Sequence, residues 1–168
     1  GGTVSGVGRV LREKSPQTKI ILSEPENASL IGSKLKQDRN SDNTPASSHS
    51  SWNPHLIQGW TPDFIPFVLQ ETIDNNYFDQ LIPVSGEQGI VWAKRLARAE
   101  GIITGISGGS TFAVAMEIAK TAPPDSNILC MLADTGERYL SSPLFEDIPE
   151  EMTEDEQKIS VSTPNYQL

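Results

Sequence analysis

Apolar positions between Val4 and Leu132 fall into two kinds of run, one suited to helices and one to strands, and the two kinds take turns. Val4 to Glu13 reads as a helix opened by a glycine-rich turn. Thr18-Lys19-Ile20-Ile21-Leu22-Ser23 is β-branched, closes on Glu24-Pro25, and suits a buried strand. Gln80-Leu81-Ile82-Pro83-Val84 predicts a second strand, and the uncharged run Asn127 to Leu132 a third. Glu87 to Glu100 is the most periodic helix, with Ile90, Ala93, Leu96 and Ala97 toward the core and Lys94, Arg95 and Arg98 toward water. Gly101 stands where a left-handed cap ends such a helix. Ser110 to Lys120 is apolar on nearly every side and predicts a buried helix, stopped by Pro123-Pro124. Helix and strand alternating at these lengths predict α/β architecture with a largely parallel sheet.

From about Ser33 to Pro54 the chain turns to Asn, Ser, Asp, Pro and Thr without an apolar period, which predicts a loop or insertion with Trp52 pinning its end. The expected organisation is therefore an α/β unit over 1–145, interrupted at 33–54, and an acidic C-terminal segment over 146–168. That segment carries Glu146, Asp147, Glu150, Glu151, Glu154, Asp155 and Glu156 against Lys158 alone, and reads as a solvated stretch.

Charge and composition then exclude several functions. A net charge of −9 over 168 residues argues against a nucleic-acid surface. No apolar run is long enough to span a bilayer. The single cysteine, Cys130, forms no internal disulfide and reads as a small buried hydrophobe. His49 and His55 lack partners at metal-ligand spacing, so no metal site is expected and both histidines read as structural or surface residues.

Two glycine-rich turns remain as candidate chemistry: Gly1-Gly2-Thr3, with Gly6 and Gly8 beyond, and Gly105-Ile106-Ser107-Gly108-Gly109-Ser110. Each precedes a helix, whose first amides are unpaired and whose dipole favours an anion such as phosphate. Either turn alone is more often a simple helix cap than a binding site.

Taken with their context, the motifs resemble a known family. Gly1-Gly2-Thr3-Val4-Ser5-Gly6 is similar to the end of the Gly-Thr-Gly-Gly-Thr loop of fold-type II pyridoxal-phosphate (PLP) enzymes. Gly101 to Ser110 resembles their Gly-Ile-Ser-Ser-Gly-Ala segment. Ile57-Gln58-Gly59 with Phe64-Ile65-Pro66 resembles a stretch of the cysteine synthase (O-acetylserine sulfhydrylase) family. Asp134-Thr135-Gly136-Glu137-Arg138-Tyr139-Leu140-Ser141 is similar to that family's Ser-Gly-Glu-Arg-Tyr-Leu-Ser signature, the most specific of the four.

The resemblance implies a three-layer fold, a mostly parallel sheet flanked by helices, of which this chain is the C-terminal half and most of the large domain. It implies pyridoxal 5'-phosphate as cofactor, its phosphate held by Gly1, Gly2 and Thr3 and its ring nitrogen met by the Ser107 hydroxyl. A neutral hydroxyl there, unlike a carboxylate, does not hold the ring nitrogen protonated, which suits β-elimination better than transamination. Cysteine synthesis from O-acetylserine and sulfide is the implied activity, with a homodimer, a cytoplasmic setting (organellar targeting aside) and the C-terminal tail of serine acetyltransferase as a possible partner. Gln58, Gly59 and Trp60 would stand at the substrate pocket. Glu137 and Arg138 read as an ion pair fixing a turn, Tyr139 as an aromatic anchor and Asp134 as a cap.

The sequence also departs from the family. Trp60-Thr61-Pro62-Asp63 replaces the compact Ile-Gly-Ala-Gly, which reshapes the pocket and leaves the substrate open. Gly86-Glu87-Gln88-Gly89 replaces Asp-Glu-Glu-Ala and is expected to alter a helix start. Lys14, Lys19, Lys34 and Lys36 do not stand in the family's Ser-x-Lys context, so no catalytic residue is expected in this chain and, alone, it should be inactive. A cystathionine β-synthase-like enzyme, another β-replacement enzyme, and a non-catalytic binding homologue remain the alternatives.

Overall fold

The computed structural model describes residues 1–163. The glycine-rich start is already helical: α1 runs Gly2–Lys14 with Gly1 as its N-cap, two residues ahead of the expected start. Helix α2, Phe67–Asp74, packs across it. Ser5 makes the contact polar inside, donating its hydroxyl to the Val68 carbonyl at 2.7 Å and sharing a 2.7 Å hydrogen bond with Thr72. Gly8 lets the helix close on Tyr77, since a Cβ there would stand 2.7 Å from Tyr77 Cβ.

Strand β1 (Ile21–Pro25) pairs in parallel with β2 (Gln80–Val84), Ile21 opposite Gln80 and Pro25 opposite Val84. β1 begins three residues later than the pattern predicts: at Ile20 only the carbonyl is paired with backbone, accepting the Asp79 N–H at 2.8 Å. The Ile20 N–H is taken instead by the Asp79 carboxylate at 2.7 Å. That carboxylate also pairs with Arg12 of α1 at 2.8 Å, so one side chain joins the first helix to both strands. The parallel pair with its helices is the α/β architecture expected.

The third strand is not formed. Residues 127–132 carry no strand pairing, and Leu129 is 95% exposed. An apolar run becomes a strand only when a neighbour takes its amides and carbonyls, and among the described residues none lies beside it. Cys130 is accordingly half-buried rather than buried; its thiol is pushed up from the ordinary value by what burial it has.

Helices α3 (Gly86–Glu100) and α4 (Ile106–Ala119) form the tightest pair in the fold. Ser85 and Gln88 close a reciprocal capping box on α3, each hydrogen bond 3.1 Å, and Gly101 ends it in the left-handed region at φ 68°. α4 starts four residues before Ser110, so Ser107, Gly108 and Gly109 are not turn residues but its first turns. Burial is also uneven: Ile106 to Ser110, Ala113 and Val114 are buried, whereas Glu117 and Ala119 face water. The main core joins Ile57, Val84, Ala93, Ile106, Ala113, Val114 and Leu144; a smaller one holds Ala28, Leu30 and Ile65.

Segment 33–54 forms no helix or strand apart from an isolated bridge between Arg39 and Pro45. It is nonetheless anchored: Arg39 donates to the Ile65 carbonyl at 2.7 Å, and the Ile65 N–H donates to Gln37 at 3.0 Å. In the acidic segment α5 (Glu154–Ser160) buries nothing, in keeping with a solvated stretch. Asp147, however, finds a cation outside that segment, Lys94 of α3 at 2.6 Å, which holds its carboxyl below the usual range. Residues 164–168 lie outside the described residues.

Candidate functional site

Helix α1 has no side-chain cap. Its first intrahelical hydrogen bond runs from the Ser5 N–H to the Gly1 carbonyl at 3.0 Å, which leaves the amides ahead of Ser5 without helical partners. This uncapped end borders a cavity of about 350 Å³, with Gly1, Thr3, Glu24, Trp60, Thr61 and Pro62 among its walls. Gly1 itself is demanded by packing, since a Cβ there would come 2.6 Å from Leu69 Cβ. Gly2 is exposed with nothing within 4 Å of a Cβ. Free amides, a helix dipole and a cavity of this size suit an anionic group, and the residues present fit a phosphate.

Glu24 is buried in the opposite wall, 3% exposed, its two oxygens accepting the Ile31 and Gly32 N–H groups at 2.9 Å each. Burial pushes its carboxyl up from the ordinary value, against the pull of those two donors.

Gly59 and Trp60, both expected at the substrate pocket, line this same cavity with Gly1 and Thr3. Gln58 is exposed and does not line it. The wall continues through Thr61, a β-branched residue at φ 35°, a conformation that costs about 1–3 kcal/mol. Its carbonyl accepts two ring N–H groups, Trp52 Nε1 at 3.1 Å and His55 Nε2 at 3.0 Å. Each such bond is worth about 1 kcal/mol, so the pair offsets strain of that size. Because a carbonyl only accepts, His55 donates through Nε2; its Nδ1 is buried without a partner among the described residues. The sequence marks Trp52 as the pin of the loop and Thr61 as part of the departing wall, but not that the one donates to the other, nor that His55 joins them.

Ser107 stands elsewhere, buried in the first turn of α4 and outside the lining of that cavity. The glycines around it are occupied by the protein's own atoms. A Cβ at Gly105 would meet Tyr139 at 2.2 Å and Asp134 Oδ1 at 2.8 Å; one at Gly108 would meet Thr104 Oγ1 at 1.9 Å. The second glycine-rich segment thus serves packing and leaves no space for a phosphate, and Ser107 shares no lining with the cavity at the start of α1.

Beside it lies the segment from Asp134, with a 3-10 turn over Gly136–Tyr139. Asp134 is not the cap of that turn, a place held by Thr135. Its Oδ2 accepts the Tyr139 hydroxyl, its backbone carbonyl accepts Thr104 Oγ1 at 3.2 Å, and its Oδ1 is buried without a partner among the described residues. The bond to Asp134 is the main reason the Tyr139 phenol is raised above its usual value. Tyr139 packs against the main core as the anchor expected. Glu137 and Arg138 are exposed and form no ion pair among the described residues; Glu137 is lowered chiefly by its own backbone N–H and by Thr135.

A family profile described as pyridoxal-phosphate dependent enzyme matches residues 1–134. The chain belongs to that family. Among its relatives, O-ureido-L-serine synthase of Streptomyces lavendulae is 38% identical over 149 residues, 89% of this chain and 40% of that protein. Cysteine synthase B of Campylobacter jejuni is 39% identical over 145 residues, 86% of this chain and 41% of that protein. A crystal structure of O-ureido-L-serine synthase superposes with a TM-score of 0.73 at 37% identity, covering 94% of this chain and 43% of its own. The chain thus spans about two fifths of the length of the curated relatives it matches. Among the described residues no helix is long and apolar enough to cross a membrane, and no group of three or more His, Cys, Asp or Glu gathers as for a metal.

Proposed function

We propose that the protein carrying this chain is a PLP-dependent β-replacement enzyme, which exchanges the leaving group of an activated serine for an incoming nucleophile. The observation that carries this reading is the uncapped start of α1 opening on the cavity that Trp60 and Thr61 wall off. Gly1, Gly2 and Thr3 hold the phosphate through backbone N–H groups and the Thr3 hydroxyl. Ser107 offers its hydroxyl to the ring nitrogen. When bound, the cofactor supplies the electron sink that makes loss of a β-substituent possible. The Schiff-base lysine belongs to no residue of this chain, so these 168 residues alone do not catalyse.

O-acetylserine with sulfide, giving cysteine, is the leading pair of substrates, supported by the Gly136-to-Ser141 signature and the cysteine synthase relatives. A second nucleophile has support of its own. The wall Trp60-Thr61-Pro62 departs from the compact cysteine synthase loop, and a relative at 38% identity is named for an O-ureido product. Hydroxyurea is the nucleophile that would deliver such a group. A cytoplasmic homodimer is proposed on the resemblance alone.

Ser107→Asp in the complete protein tests the assignment. A carboxylate there favours the protonated ring nitrogen, so the cofactor's visible spectrum should shift and elimination should slow by at least tenfold. Unchanged spectrum and rate would remove Ser107 from the ring nitrogen. Product analysis with sulfide, hydroxyurea, homocysteine and cyanide identifies the acceptor.

A further inference from the structure

The irregular segment 33–55 has more to do than connect two elements. It meets the cavity wall at several successive points. Trp52 Nε1 and His55 Nε2 both donate to the Thr61 carbonyl, at 3.1 and 3.0 Å. The His49 N–H donates to the Asp63 carbonyl at 2.6 Å, and Ser48 donates its hydroxyl to the Asp63 carboxylate. Gln37 and Arg39 take the two backbone groups of Ile65, and the Arg39 guanidinium sits 5.4 Å over the Phe67 ring.

Of the residues so held, Thr61 and Ile65 face the cavity, and Asp63 stands between them in the chain. Trp60, Thr61, Pro62, Phe64 and Ile65 all line it, and Gly59 (φ 84°) and Thr61 (φ 35°) both sit in the left-handed region. A threonine does not hold that conformation unaided, because its branched Cβ crowds the backbone. The two ring donors converge on the carbonyl of that residue. Trp52 also packs its ring against the small core of Ala28, Leu30 and Ile65, so the clamp is built into the fold.

We propose that segment 33–55 is a specificity-setting strap, in which Trp52 and His55 grip the Thr61 carbonyl from behind and so fix the Trp60-Thr61-Pro62 wall that decides which acceptor nucleophile enters. This rests on the β-replacement reading. Trp52 and His55 touch no substrate in it; they are positioning residues, acting through the backbone of the wall.

Trp52→Phe keeps an aromatic ring in the small core and removes only the donor. His55→Ala removes the other donor, and His55→Gln restores one. In the complete, cofactor-loaded protein two measurements are made on each variant. Amide hydrogen exchange over 59–65 should quicken at least tenfold in W52F and H55A, while α3 and α4 keep their protection and H55Q recovers most of the loss. The ratio of kcat/KM for hydroxyurea to that for sulfide should shift at least fivefold in the same two variants, with the elimination half-reaction within twofold of the parent. Exchange that stays slow means the strap grips nothing and overturns the proposal. Exchange that quickens while the nucleophile ratio holds within twofold overturns the specificity role. If the parent forms no cofactor band and turns over no nucleophile, the β-replacement reading fails and takes the specificity role with it. That failure is told apart from the others because the exchange response of the strap would survive it.

Discussion

Substitution of Gly109 by alanine tests the tightest contact in the fold. A Cβ on Gly109 would lie 2.0 Å from the Gly89 carbonyl oxygen and 2.8 Å from both Cβ and N of Ala93. Ordinary C···O contacts are about 3.3 Å or longer, so α3 and α4 must part by roughly 1.3 Å at their crossing. The obstacle is helix backbone, which cannot swing aside as a side chain would. The cost should therefore fall at the upper end of the range for overpacking, about 3 kcal/mol. Alanine returns about 1 kcal/mol through its better helix preference. The net is a destabilisation of about 2 kcal/mol, a factor of roughly 30 in the unfolding equilibrium. Urea denaturation of the complete protein followed by tryptophan fluorescence reads it at the right place. Trp92 of α3 stands edge-on to Phe112 of α4, ring centres 5.6 Å apart, and reports the same interface. Gly6→Ala is the control: exposed on α1 with nothing within 4 Å of a Cβ, it should gain about 0.4–1 kcal/mol. Equal stability of G109A and the parent, or equal loss in G6A, would show that the crossing distance is not what the glycine secures.

Two further perturbations probe the frame around the cavity. Asp79 holds the Ile20 N–H, Arg12 and Lys19, and its carboxyl is lowered chiefly by the first two. Because its folded pKa lies below the unfolded value, its stabilisation is present above about pH 4 and is lost as pH falls through the folded value; Asp79→Asn should cost about 1.5 kcal/mol at pH 7, a cost that shrinks as the carboxyl protonates, seen as convergence of the two denaturation midpoints on acidification. Ser85→Ala opens the capping box of α3 and should cost about 1 kcal/mol, whereas Ser85→Asp, which keeps an acceptor, should recover most of it in the same assay.

Elements whose hydrogen bonds are closed within the chain were legible in the sequence. β2 lies at Gln80–Val84 as expected, and α3 ends at the glycine cap the sequence locates, while its serine cap, Ser85, came only with the structure. A run with no pairing partner among the described residues was not. Residues 127–132 look like a strand because their side chains suit one, yet side chains do not supply amides for a ladder. The start of α4 was misplaced for a related reason. Glycine and serine read as a turn by propensity, and only the packing seen in three dimensions, Thr104 against Gly108 and α3 against Gly109, explains why a helix holds the two side by side.

That last point changes what the glycines can be taken to mean. Both glycine-rich turns precede helices, and helix dipole and free amides alone would make either a phosphate site. The difference lies in what occupies the space a Cβ would take. At Gly2 there is nothing, beside a cavity; at Gly105, Gly108 and Gly109 there is Tyr139, Thr104 and the backbone of α3. Gly89, where the family usually has alanine, belongs to the second case, since a Cβ there would sit 2.2 Å from Ser110 Oγ and 2.9 Å from the Ile106 carbonyl. The departure at Gly86-Glu87-Gln88-Gly89 therefore does more than set a helix start: it lets α3 come closer to the turn of α4 that carries Ser107. Gly1 is packed too, against Leu69, so it is the cavity bordered by Gly1 and Thr3, rather than the glycines themselves, that sets the first turn apart.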